Sequence, residues 1–152
     1  MKLEEKRALY REAMAFYELA ECGRIHVPER QFVENYIPYI VNMTFCTELF
    51  LKLLLVHNGK TIDKVRKIGH NLYGLYESLT QPQKDEIYSL FKRPMIYSIP
   101  EEIKNISDAF TEWRYLVLNK ANSQFEKILF KPCFIRELNE VLEKIGRNIL
   151  NM

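Results

Sequence analysis

The amino-acid sequence predicts an all-α fold, a helical bundle of about four to six helices forming one domain over residues 1–152. Three observations carry that prediction. Apolar residues recur at three- and four-residue spacing through most of the chain. Two capping boxes with proline in the first turn mark helix starts. No segment keeps the alternation expected of a half-buried strand. With 47% hydrophobic residues, five glycines and six prolines, the composition is that of a packed globule rather than a disordered chain. A length of 152 residues suits one folding unit and leaves no room for a second.

From Lys2 to about Cys22, Leu9, Ala13, Phe16, Tyr17 and Ala20 share a face, with Arg7, Arg11 and Glu18 on another. Gly23 is expected to stop this first helix at its C-terminal cap. After Pro28 a long helix should run to about Asn58, bent or restarted at Pro38. From Met43 to Val56 it is apolar nearly all round, which places it in the middle of the bundle. Asn58-Gly59 ends it, and a polar loop through Lys67 leads to Gly69-His70-Asn71. There Asn71 or a neighbour caps a short helix carrying Leu72, Leu75, Tyr76 and Leu79.

The first capping box, Thr80 to Gln83 with Pro82, opens a helix carrying Ile87, Leu90 and Phe91. The second, Ser98 to Glu101 with Pro100, opens a helix whose stripe is Ile103, Ile106, Phe110, Trp113 and Val117. The stretch Asn119 to Lys131 has no period and reads as loop. From about Pro132 a last helix carries Phe134, Leu138, Val141, Leu142, Ile145 and Ile149 on one face.

Charge and cysteine usage narrow the function classes. The 22 basic and 20 acidic residues give a net charge of only +2, so the surface as a whole has no electrostatic reason to hold nucleic acid tightly. Three cysteines, Cys22, Cys46 and Cys133, are an odd number without CxxC spacing, which fits reduced thiols at small core positions. The start, MKLEEKRALYREAM, is charged and amphipathic rather than a secretory signal, so a cytoplasmic location is expected. Ile37 to Val56 approaches the length of a membrane span, but Pro38, Asn42, Glu48 and Lys52 interrupt it and favour a buried core helix, with no membrane partner.

Few residues are placed to do chemistry. Glu48 and Lys52 stand four apart inside the most apolar helix, in the favourable order for an ion pair. Either they fix the register of that helix or they line a polar cleft. His70, beside Gly69 and Asn71 at a helix start, is either a cap or core histidine or a ligand contact near outward-facing backbone N–H groups. His26 reads as a loop residue, and His57 as a partner of the helix C-terminal dipole. Arg114, between Trp113 and Tyr115, is either a partner for Glu48 or a phosphate contact. A metal site from Cys22 and His26 would have two ligands and no second pair, too few to predict one. No glycine-rich phosphate loop, GxSxG or HExxH motif is present, and no cofactor is implied.

The order Phe45-Cys46-Thr47-Glu48-Leu49-Phe50-Leu51-Lys52, then Gly69-His70-Asn71-Leu72-Tyr73-Gly74-Leu75-Tyr76, then Trp113-Arg114-Tyr115, resembles HEPN-domain proteins over about Ala8 to Leu118. The resemblance implies an antiparallel helical bundle, often dimeric, found in bacterial defence and toxin-antitoxin systems, with RNA cleavage in active members. Those members look like metal-independent ribonucleases using an arginine followed, after roughly four to six residues, by a histidine. This chain departs from that pattern. Arg66 and His70 are too close in sequence, Lys52 and His57 have the spacing with lysine in place of arginine, and no histidine follows Arg114.

The expectation is therefore a HEPN-like, non-catalytic module that binds a partner protein, a nucleotide or RNA through Glu48, Lys52, His70, Asn71 and Arg114. Two rivals are a ribonuclease or nucleotide-modifying enzyme using His70, and a purely structural subunit. Nine tyrosines and nine phenylalanines suggest more aromatic surface than one small core hides, so a homodimer is expected, paired through the first or the last helix.

Overall fold

The computed structural model describes residues 1–25, 32–92, 98–107 and 132–152. Among them are seven helices and no strand: α1 (Leu3–Ile25), α2 (Phe32–His57), α3 (Ile62–Ile68), α4 (Leu72–Glu77), α5 (Gln81–Leu90), α6 (Ile99–Ile106) and α7 (Pro132–Leu150). The fold is an all-α helical bundle, as the periodicity predicted. Phe110, Trp113, Arg114, Val117, His26 and the segment expected as loop from Asn119 to Lys131 lie outside the described residues.

Helix α1 buries Tyr10, Ala13 and Ala20, three residues of one face, with Phe16 and Tyr17 packed beside them. It runs antiparallel to α2, because its contacts descend along α2 as they climb α1. The Tyr10 ring meets Phe50 edge-on at 5.8 Å, the Phe16 ring meets Phe45 at 4.4 Å, and the Tyr39 hydroxyl donates to Glu21 Oε1 at 3.1 Å. Helix α7 also opposes α1. The Tyr10 hydroxyl donates to Glu143 at 2.7 Å, and Arg136 Nε lies 3.5 Å from Glu21. It therefore runs alongside α2 in the same direction, with Asn139 against Thr47 and Gly146 against Leu53.

Gly146 of α7 packs against Tyr10 of α1 and Leu53 of α2. A Cβ there would lie 3.2 Å from the Tyr10 ring and 3.5 Å from Leu53 Cδ2, so even alanine would require the Tyr10 ring to shift by a few tenths of an ångström.

Helix α2 is the centre of the bundle and touches α1, α3, α4 and α7. From Cys46 to Val56 every residue is buried except Lys52, which is partly exposed. Burying side chains such as Phe50, Leu51 and Leu55 contributes about 1.5–3 kcal/mol each. The window Ile37–His57, with mean hydropathy 1.6, is long and apolar enough to cross a membrane, yet 78% of it is buried within the bundle. Pro38 lies inside α2 without ending it. Its carbonyl accepts from Asn42 Nδ2 at 2.8 Å. The helix stops at the Asn58-Gly59 pair, where Gly59 N bonds Val56 O and Lys60 N bonds Leu55 O, the paired closure of a Schellman turn.

Three local expectations are corrected. Helix α1 continues through Gly23 to Ile25, and Gly23 does not have the left-handed backbone that a capping glycine adopts. The stretch expected as a polar loop before Lys67 contains α3, capped by Thr61, whose Oγ1 accepts from Lys64 N. Of the three cysteines assigned to the core, only Cys46 is buried, and burial raises its thiol pKa; Cys22 and Cys133 are exposed.

Candidate functional site

Helix α2 carries a carboxylate into the core at Glu48, only 1% exposed. Leaving such a group unpaired would cost several kcal/mol. Two cationic or donor groups meet it. Lys52, one turn further along α2, brings Nζ to 2.6 Å from Oε1. His70, from the corner between α3 and α4, brings Nδ1 to 2.9 Å from Oε2 and 3.1 Å from Oε1.

The corner owes its path to Gly69. Its φ of +68° lies in the left-handed region that other residues enter only at a cost, and its N–H closes α3 on Arg66 O. The next residue, His70, then reaches back to α2. An ionised carboxylate only accepts, so Nδ1 is the donor in this bond, and in a neutral ring Nε2 is left as the acceptor nitrogen. The His70 side chain is 50% exposed and that of Lys52 21%, while Glu48 beneath them is sealed. The cluster is thus a buried anchor presenting an imidazole and an ammonium toward the surface.

Asn71 sits next to this cluster but its side chain works elsewhere. As the N-cap of α4 its Oδ1 accepts from Gly74 N at 2.8 Å and from the Ser107 hydroxyl at 3.0 Å. Ser107 Oγ in turn accepts from Tyr73 N at 3.1 Å. This small network ties the start of α4 to the end of α6 and holds the backbone from which His70 projects.

Of the five residues singled out from sequence, Glu48, Lys52 and His70 therefore meet, Asn71 caps the neighbouring helix, and Arg114 is outside the described residues. No protein-family model, curated protein or solved structure matches the chain.

His57 ends α2, well apart in sequence from His70. Partial burial and the Lys6 ammonium of α1 lower its pKa, against the direction in which the helix C-terminal dipole would move it. Among the described residues no group of three His, Cys, Asp or Glu side chains is arranged to hold a metal ion.

Sequence reasoning missed the polar contact on the other side of α2. Asn139 of α7 is fully buried and donates through Nδ2 to Met43 O at 2.9 Å. The Thr47 hydroxyl lies 2.9 Å from both Met43 O and Asn139 Oδ1. The signal was present: Asn139 interrupts the apolar run Leu138-Val141-Leu142, just as Thr47 interrupts that of α2. Ser107 was missed for a different reason, since nothing near it in sequence marks it as a partner of Asn71.

Proposed function

We propose that the chain is a HEPN-like binding module that does not itself cut RNA, and that His70 and Lys52 form the part of its surface that meets a partner protein, a nucleotide or RNA. The observation that supports this reading most is the sealed Glu48 carboxylate with both oxygens committed to Lys52 and His70. Glu48 is thereby a positioning residue. It fixes the ring orientation of His70 and balances Lys52, leaving the imidazole edge that carries Nε2 and an ammonium at the rim.

The absence of the arginine-histidine spacing supports the non-catalytic side of the reading. Cleavage of RNA without a metal needs a group that exchanges protons near neutral pH and a second group to steady the phosphate charge. His70 is the histidine of the cluster, but no arginine precedes it at the required distance. Pairing of two copies belongs to the same reading, although Tyr88 is the one exposed aromatic among the described side chains. On α1, Leu3 and Leu19 are the exposed large apolar residues such a contact would cover.

One observation favours the rival enzyme. A histidine whose Nδ1 is held by a buried carboxylate has the orientation of a general base. A labelled single-stranded RNA incubated with wild type and His70→Ala, without divalent metal, separates the two. The expected result is no cleavage by either protein and weaker RNA binding, read by fluorescence anisotropy, in the variant. Cleavage by wild type that vanishes in a variant retaining its helical signal would make the enzyme reading the better one.

A further inference from the structure

A second polar site lies beyond the C-terminal end of α2, formed by other residues than the Glu48 cluster. A cavity of about 300 Å³ opens where the α2 turn, the start of α3 and the junction of α4 and α5 meet. That volume is at the lower end of the range for small-molecule sites. Leu55 contributes apolar floor, and Lys60, Lys64, Thr61, Ser78, Thr80 and Gln83 contribute polar wall.

The charge of this wall is one-sided. Two lysines line it and no carboxylate does. Lys60 is held in place, because its Nζ donates to Ser78 O at 3.1 Å. An ammonium has three donors, and that bond uses one. Lys64 is exposed, and among the described residues no aspartate or glutamate pairs with it. Both lysines are set by local structure: the Schellman turn places Lys60, and the Thr61 cap starts the helix that carries Lys64.

Gln83 Nε2 donates to Leu54 O at 3.1 Å, and its Oε1 accepts from Thr80 N and Oγ1, so Gln83 and Thr80 form fixed wall. Thr61 and Ser78 also line the cavity, and each carries a hydroxyl able to donate; the Thr61 Oγ1 already accepts from Lys64 N.

We propose that this cavity, through Lys60 and Lys64 with the hydroxyls of Thr61 and Ser78, is a binding site for the phosphate group of a small phosphate ester. Two ammonium groups with no lining carboxylate favour a compact dianion over a neutral or cationic ligand. A half-open cavity of this volume suits a small molecule better than an extended polyanion, which would need a groove or a strip of positive charge. The site does not depend on the HEPN-like reading, and neither reading falls with the other.

The test is an amide-resolved NMR titration of the full chain with inorganic phosphate, ribose 5-phosphate and ribose, at constant ionic strength set with chloride. Saturable shifts are expected at the amides of Lys60, Thr61, Lys64 and Gln81 with both phosphates and not with ribose. Lys64→Gln, an exposed substitution that leaves the fold intact, should weaken ribose 5-phosphate about tenfold, the effect of one lost charge-assisted contact. Lys67→Gln removes the same charge from the exposed last turn of α3 and should leave the affinity unchanged. Non-saturable shifts spread over many lysines, equal weakening by Lys67→Gln, an unchanged affinity in Lys64→Gln, or the same shifts with ribose would each overturn the proposal.

Discussion

Removing Lys52 should harm the protein more than removing the carboxylate it pairs with. Glu48 is 1% exposed and Lys52 21%. Lys52→Met leaves a buried carboxylate with only the His70 bond. Breaking a buried pair from one side costs about 3–5 kcal/mol, and the surviving bond to His70 together with the partial exposure of the pair lowers the expectation to about 2–3 kcal/mol. Glu48→Leu instead leaves an ammonium whose stem lets it turn to water and a histidine that is already half-exposed, so about 1 kcal/mol or less is expected. The assay is urea unfolding followed by helical circular dichroism, comparing midpoints at equal slopes. For a chain of this size the Lys52→Met loss corresponds to a fall in Tm of roughly 4–12 °C. A cost for Lys52→Met below about 0.5 kcal/mol, or a larger cost for Glu48→Leu than for Lys52→Met, would refute the argument that the carboxylate is the dependent partner.

Substitutions at three further positions test the elements around the site. Asn71→Ala removes the cap of α4 and the acceptor of Ser107, and should cost about 1–2 kcal/mol with faster hydrogen exchange at Gly74 and Tyr73; unchanged exchange there would contradict the network. Asn139→Asp should destabilise by at least about 3 kcal/mol at neutral pH and recover in acid, because it buries a charge. Asn139→Leu should cost about 1 kcal/mol, since Thr47 still reaches Met43 O. The folded protein holds the His57 proton less tightly than the unfolded chain does. Its contribution to stability is thus present above the unfolded value of 6.5 and is lost as pH falls through the lower folded value. His57→Gln should flatten the fall in Tm between pH 7 and pH 5, and an unaltered slope would remove His57 as a cause.

Helix starts were the most legible part of the fold because their signals are local. Thr80 with Gln83, Ser98 with Glu101, and Asn71 each cap the helix that their spacing announced. The apolar stripe of α7 was equally plain, since Leu138, Val141, Leu142 and Ile145 recur at helical spacing and all are buried. Helix α3 was not, because its seven residues bury only Val65 and leave no period to detect. Within the candidate site the same rule holds. Glu48 and Lys52 lie one turn apart on one helix, so their contact could be read from spacing. The contact of His70 with Glu48 crosses 22 residues and depends on the backbone turn at Gly69, which sequence marks only as a possibility. The exposure of Cys22 and Cys133 illustrates the limit of residue-type averages. Free cysteines favour the interior as a class, whereas the angular position of each on its helix decides its burial.

The polar residues of α2 answer a problem that its own apolarity creates. Burial of apolar surface is non-directional, so a helix that is greasy on nearly every side gains similar free energy over a range of rotations and axial shifts. Thr47 and Glu48 are adjacent in sequence and hence about 100° apart around the helix. Thr47 reaches Asn139 on α7, and Glu48 reaches His70 at the corner between α3 and α4. Two hydrogen-bonded directions of that kind fix both rotation and register, because either displacement would strand a buried polar group. The same arrangement makes His70 depend on the position of α2 rather than on its own loop. Glu48→Leu, though expected to be nearly neutral in stability, should then release the imidazole from its held orientation, so that stability and site geometry become separable by a single substitution.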